Sequence, residues 1–183
     1  MRYIVAATLL LTGCVAAPPA AAPIPPQAEA PRFDPFTFFL GTSEGQGTLA
    51  KVMADPVPVR VESRGRIETV VTRQSAWAAP ARRVLVLDQT VHEGDKPPRE
   101  RQWRLTEIAP GRYEGTLSDA TSPVTAQSEG NRLTIIFTIK DGFKVHQTLT
   151  LSPDGSRADN VMRVSQLGMT VAVLREEIRH TAP

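Results

Sequence analysis

Along most of this chain, apolar and polar residues alternate with a period of two, and turn-forming residues interrupt the alternation at short intervals. A period of two puts successive side chains on opposite faces of a β-strand. The clearest pair is Arg132–Lys140 followed by Phe143–Leu151. The first sets Leu133, Ile135, Phe137 and Ile139 on one face, and the second sets Phe143, Val145, Leu149 and Leu151 on one face with Gln147 among them. A two-residue Asp141-Gly142 turn would send these faces to opposite sides of the sheet. A three-residue loop, Lys140-Asp141-Gly142, pairs Ile139 with Phe143 and brings them together, so burial selects the longer loop with Gly142 left-handed.

The same argument applied to Gln102–Ile108 and Arg112–Leu117 pairs Ile108 with Arg112, which sets Trp103 opposite Leu117 and Leu105 opposite Gly115. Further strands are predicted at Thr42–Ala54, Val57–Thr69, Arg83–Glu93, Val124–Glu129 and Arg157–Gln166. Met169–Arg179 fits a strand or a short helix, and Leu167-Gly168, a tight-turn pair, favours the strand. Residues 70–82, with Trp77-Ala78-Ala79-Pro80, read as a longer rim loop. Phe33, Phe36, Phe38, Phe39 and Leu40 form an aromatic entry suited to a helical turn that plugs one end. The fold class expected is all-β, a single antiparallel meander of 8–10 strands closing into a barrel, since closure removes exposed edges; a β-sandwich is the alternative. The outward positions, among them Thr134, Thr138, Lys144, His146 and Thr150, are too polar for a membrane-spanning barrel.

The first 32 residues follow different rules. Met1-Arg2-Tyr3 carries one positive charge, Ile4 to Leu11 is apolar except for Thr8, and Leu11-Thr12-Gly13-Cys14 follows. This is the layout of a secretory signal, too short to span a bilayer as a mature helix. It resembles the lipobox of bacterial lipoproteins, in which the cysteine is acylated and the chain is cut just before it. The resemblance implies a signal peptide over residues 1–13 and a membrane anchor at Cys14. With Val15 in place of Asp after the cysteine, it implies an outer-membrane, periplasm-facing destination. Cys14 is the only cysteine, so no intrachain disulfide is possible. Residues 14–32 comprise the cysteine and a Pro/Ala-rich tether whose proline density favours polyproline II, a reach of roughly 50 Å at about 3.1 Å per residue. Residues 33–183 form the folded domain.

Composition adds mainly exclusions. The chain has 21 basic and 19 acidic side chains, dispersed rather than striped, which gives no nucleic-acid footprint. Arg82-Arg83 and Arg99-Glu100-Arg101 read as solvated strand ends. Gly41-Thr42-Ser43-Glu44-Gly45 matches G-x-S-x-G, but a nucleophile elbow needs a strand-turn-helix in an α/β sheet, and here a strand covers Ser43. His92-Glu93-Gly94-Asp95 lacks a second histidine at ligand spacing, and His146 falls on a polar face. No catalytic constellation, metal site or cofactor motif is found, and no protein partner is specified.

What remains is the barrel interior. If Pro153-Asp154-Gly155 is a three-residue loop, Arg163 pairs with Val145 and points inward, with Asp159 two positions below. Trp103, Gln147 and Arg163 are then the candidate ligand-binding residues, the arginine orienting the head group of an amphipathic molecule such as a fatty acid. A register shifted by one residue would instead put Arg163 in solvent. Trp103 also suits plain core packing.

Trp103, the run Gly111-Arg112-Tyr113-Glu114-Gly115 with Asp119, Gly130-Asn131, Asn160 to Gly168, and the early Phe39-Leu40-Gly41 with Gly45-Gln46-Gly47 resemble bacterial lipoproteins of the Domain of Unknown Function 3833 family. The likeness spans roughly residues 36–180. It departs after Gly142, where His146-Gln147-Thr148-Leu149 stands in place of an acidic-aromatic motif. The resemblance implies a lipocalin-like shape, and shape alone fixes no activity. The expected function is a membrane-anchored envelope lipoprotein whose barrel binds a small hydrophobic or amphipathic ligand. The alternative is a non-catalytic protein-interaction module of the envelope.

Overall fold

The computed structural model describes residues 31–70 and 81–180. The expected signal segment, Cys14, nearly all of the tether, and most of the 70–82 loop with Trp77 lie outside the described residues.

Ten antiparallel strands follow one another around a closed barrel: β1 Gly41–Lys51, β2 Ala54–Val70, β3 Arg82–Glu93, β4 Arg99–Ala109, β5 Arg112–Leu117, β6 Val124–Glu129, β7 Arg132–Thr138, β8 Lys144–Leu151, β9 Arg157–Gln166 and β10 Met169–His180. Each strand pairs with its neighbour in sequence, and β1 closes the circle against β10. Closure excludes the sandwich and leaves no sheet edge, while residues 169–180 form a strand and not a helix. Inward positions are buried and outward ones exposed with the predicted alternation, as in β6, where Val124, Ala126 and Ser128 are buried and the residues between them are not.

The β7–β8 register is the one burial requires. Phe137 faces Val145, Ile135 faces Gln147 and Leu133 faces Leu149, and Ile139 N–H donates to Phe143 O at 2.9 Å. The connecting 3-10 turn, Lys140–Gly142, has both Asp141 and Gly142 at positive φ. Trp103 faces Leu117 and Leu105 faces Gly115, also as the hydrophobic pattern demands. At the tip of that hairpin a bulge shifts the pairing, so Ala109 rather than Ile108 meets Arg112, and Ile108 is left exposed. β4 also starts at Arg99, three residues before the pattern suggests, because its first residues pair along β3 up to Val91.

One end of the barrel is stoppered by α1, Pro35–Phe38, preceded by Phe33 and followed by Phe39. Asp34 caps the helix by accepting from the Phe36 N–H at 3.0 Å, and Pro35 occupies the first turn where a missing N–H does no harm. All four phenylalanines are buried, and they stack on one another, on Tyr113 and on His180. β2 runs so close beneath this plug that a Cβ on Gly65 would overlap the Phe39 carbonyl oxygen. The opposite end is open. Its rim is made of the β1–β2, β3–β4, β5–β6, β7–β8 and β9–β10 connections. Met53, Leu167 and Met169 stand out from two adjoining turns of this rim, 87, 93 and 65% exposed.

Candidate ligand site inside the barrel

Between the plug and the mouth, a band of polar side chains on β2, β3, β4, β9 and β10 enters the interior and separates a small apolar cluster from the large one. The large cluster, which includes Phe36, Leu85, Leu105 and Leu133, fills the plug end and continues along β5, β7 and β8 to Leu117, Phe137 and Val145 near the mouth; a smaller one, Leu49, Val59, Val61, Val91, Ala172 and Leu174, lies on the mouth side of the polar groups. The band is a product of strand register. Ser63, Gln89 and Arg101 sit directly opposite one another on β2, β3 and β4, and Asn160 faces Glu176 across β9 and β10.

Hydrogen bonding within the band is specific. Gln89 Nε2 donates to Ser63 Oγ at 2.8 Å, and Gln89 Oε1 accepts from both Trp103 Nε1 and Arg101 Nε, each at 2.7 Å. The Arg101 guanidinium also lies over the Trp103 ring, 5.6 Å from its centroid, a cation–π geometry. Across the lumen, Asn160 Nδ2 donates to Glu176 Oε2 at 2.8 Å. Glu176 fits because β1 turns two glycines inward: a Cβ on Gly45 would overlap the Glu176 carboxylate, and one on Gly47 would overlap the β10 backbone.

These two ionisable groups are desolvated without being paired. Burial, reinforced by the positive charge of Arg99, lowers the Arg101 guanidinium from 12.5 to about 10, against the weaker pull of Glu176 and Asp119. Burial raises the Glu176 carboxyl, opposed by the Asn160 hydrogen bond and the charge of Arg101. Neither finds an ion-pair partner among the described residues. Asn160 is only 2% exposed and its Oδ1 has no hydrogen-bond donor among them.

Arg101 borders three spaces. Toward the mouth is a vestibule of about 240 Å³, walled by Leu117, Phe137, Ile139, Val145, Met162 and Val164, with Arg99, Asp119 and Lys140 at its lip. Beside it is a cavity of about 50 Å³ that also touches Gln147, Asn160 and Glu176, and beneath it one of about 40 Å³ against Trp103. The vestibule is a little under the roughly 300–1,000 Å³ of ordinary small-molecule pockets. Its volume is that of a short chain, or of the inner part of a longer one with its tail at the mouth. Arg99 does not compete for such a ligand, being tied to Asp119 at 2.6 Å.

Of the residues singled out from sequence, Trp103 and Gln147 come together at this site. Arg163 does not. Val145 faces Val164, so Arg163 faces His146 on the outer wall, and Asp159 is outward with it. The cause is the β8–β9 loop, which has four residues and not three: Ser152 N–H donates to Arg157 O at 2.9 Å, closing the loop one residue later. Asp154 organises it by accepting from the Ser152 hydroxyl and from the N–H and hydroxyl of Ser156. These bonds hold its carboxyl down at about 2. The inward residues of β9 are consequently Ala158, Asn160, Met162 and Val164. Ser43 lies within β1, opposite Ser63, with no helix following the strand.

Arg101, Asn160 and Glu176 are not among the candidate ligand-binding residues of the sequence, and Arg101, expected at a solvated strand end, instead turns inward to Gln89. Arg101 was legible, since Arg101, Trp103 and Leu105 share one face at period two. Its place in a charged run pointed the other way. The Gly45-Gln46-Gly47 spacing was a second signal, two inward positions emptied for something opposite.

A closed antiparallel meander with one plugged end, one open end and a polar site at mid-depth defines a lipocalin-like β-barrel. Solved structures agree at the level of fold. The S-type phycobiliprotein lyase CPES from Guillardia theta superposes with a TM-score of 0.53 at 10% identity, over 81% of this chain and 92% of that one. Rv2717c from M. tuberculosis gives 0.55 at 13% identity, over 80% and 94%. The chain belongs to the family described as protein of unknown function DUF3833, whose model matches residues 8–154. No curated protein matches it.

Proposed function

We propose that this protein is a lipid-anchored envelope lipoprotein whose barrel binds a small amphipathic ligand, head group inward against Arg101 and chain in the vestibule. The observation that carries the reading is the Arg101 guanidinium, desolvated, oriented by Gln89 and Trp103, in no salt bridge among the described residues and felt by Glu176 and Asp119 only at longer range, at the floor of an apolar vestibule. A desolvated cation whose counter-charges act only at a distance is poorly compensated, and a carboxylate presented by a ligand would compensate it with charge-assisted hydrogen bonds. The lyase of Guillardia theta supports the reading only by sharing the barrel shape. Isothermal titration of the full chain with octanoate, empty vesicles serving as the blank, tests it. Saturable one-to-one binding that Arg101→Met weakens at least tenfold supports the site, and absence of binding by octanoate and octan-1-ol alike overturns it.

The anchor reading rests on Leu11-Thr12-Gly13-Cys14 and places the protein at the outer membrane facing the periplasm. Cys14→Ser abolishes radioactive palmitate labelling if it is right, and retained labelling refutes it. A second reading, a protein-interaction module, draws on the exposed Met53, Leu167 and Met169 of the mouth. Crosslinking that captures one defined protein partner at these turns, with no ligand bound, favours it over the first.

A further inference from the structure

We infer that the inner end of the site takes a head group carrying a hydrogen-bond donor beside its anion, so that a hydroxy acid is held in preference to the plain acid, with the hydroxyl donating to Asn160 Oδ1. This inference rests on the ligand reading above and adds the chemical class. Its starting point is the orientation of Asn160. An ionised carboxylate only accepts, so while Glu176 is charged Asn160 turns its amide nitrogen toward it, and it does so at 2.8 Å. That leaves Oδ1 as a buried acceptor, 2% exposed and without a donor among the described residues. A stranded acceptor of this kind costs about 1–3 kcal/mol, so a donor brought by a ligand gains more here than at an exposed site.

Asn160 and the Arg101 cation line the same chamber, with Oδ1 sealed in its wall. Both Arg101 and Asn160 line the cavity of about 50 Å³, with Gln147, Glu176 and Met162. It is small, and suits a carboxylate with one substituted carbon rather than a chain. The two residues call for opposite halves of a hydrogen bond: Arg101 offers only donors, and Asn160 Oδ1 accepts. A simple fatty acid answers the first and leaves the second unserved. A second anion is unwelcome, because Glu176 already lends negative charge to the chamber. The ligand that satisfies every group is a monoanion with a neutral donor one or two carbons away.

The test compares octanoate, 3-hydroxyoctanoate and 3-methoxyoctanoate by titration calorimetry on the full chain. The expected order has the hydroxy acid tighter than octanoate by about fivefold, the worth of one net hydrogen bond. The methoxy compound, which keeps the oxygen and loses the donor, falls to octanoate or below. Asn160→Leu, of similar volume, abolishes the preference, read as the ratio of the two affinities in the variant. Equal binding of acid and hydroxy acid overturns the inference and leaves the ligand reading intact, as does a preference that survives Asn160→Leu. Failure of all three ligands to bind overturns both. The wild-type comparison with the methoxy control decides the matter even if Asn160→Leu does not fold.

Discussion

Arg101→Met separates two roles an inward arginine can have, because they predict stability changes of opposite sign. Lowering the guanidinium from 12.5 to about 10 means that the folded barrel disfavours the charged form by roughly 3 kcal/mol, at about 1.4 kcal/mol per tenfold. The substitution relieves that term. It forfeits the hydrogen bond to Gln89, about 1.5–3 kcal/mol for a charged donor, and the contact with the Trp103 face, about 0.5–1 kcal/mol. Gln89 Oε1 still accepts from Trp103 Nε1, so no buried acceptor is stranded. A methionine stem also buries apolar surface beside Leu87 and Met162, and its flexibility lets it fill the gap. Those terms nearly cancel, and the apolar burial of the methionine, about 1 kcal/mol, leaves a net stabilisation on the order of 1 kcal/mol, or about 2–4 °C in melting temperature for a chain of this size. Thermal unfolding followed by circular dichroism is the assay, run beside the octanoate titration: the variant melts higher and binds worse. A melting temperature lowered by 5 °C or more would refute the reasoning, because Arg101 would then be holding the barrel together.

The plug is expected to carry a large share of stability. Phe38 is 4% exposed and touches Phe33, Phe39 and His180, so Phe38→Ala lowers the unfolding free energy by about 3–5 kcal/mol in urea titration. The β8–β9 loop gives the acid limb of stability a defined contributor. Asp154 has a folded value of about 2 against 3.8 ordinarily, so its contribution is present above pH 4 and is lost as pH falls through about 2. Asp154→Asn, which keeps an acceptor but no charge, flattens that limb in pH-dependent melting curves. Burial pushes the Tyr113 phenol up to about 12, so absorbance near 295 nm reports it ionising there in the folded protein. Because the unfolded phenol ionises near 10, stability is constant below that value and declines as pH rises toward 12.

The fold was legible wherever burial alone decides register. In β7 and β8 the apolar faces of Leu133-Ile135-Phe137 and Val145-Leu149-Leu151 can meet in one way only, and the loop length follows. In β9 the pattern is weak: Val161 and Met162 put an apolar residue on each face, so hydrophobicity could not choose between registers one residue apart. A side chain chose, Asp154 gathering Ser152 and Ser156 into a four-residue loop, and Arg163 went outward as a result. The site was half legible for a related reason. Trp103 and Gln147 stood out as unusual occupants of apolar faces. Arg101, flanked by Arg99 and Glu100, carried the expectation of solvent that attaches to any charged run, although its spacing from Trp103 and Leu105 already placed it inside.

The polar band also makes the barrel mechanically unequal along its axis. The large cluster is broad, locked by aromatic rings and continuous from the plug along β5, β7 and β8 to the mouth, whereas the smaller one is six residues confined to β1, β2, β3 and β10. Hydrogen-bonded polar groups separate the two and carry little of the nonspecific cohesion that makes a core unfold as one unit. The mouth end of β1, β2, β3 and β10 is therefore the part that breathes, with amides of these strands near Leu49, Val59 and Leu174 exchanging before those near Leu105 and Leu133. A guest could enter by such breathing without any hinged lid. Once seated across the band, it would knit the two halves into a single cooperative body, so that occupancy is felt as stiffness at the lip.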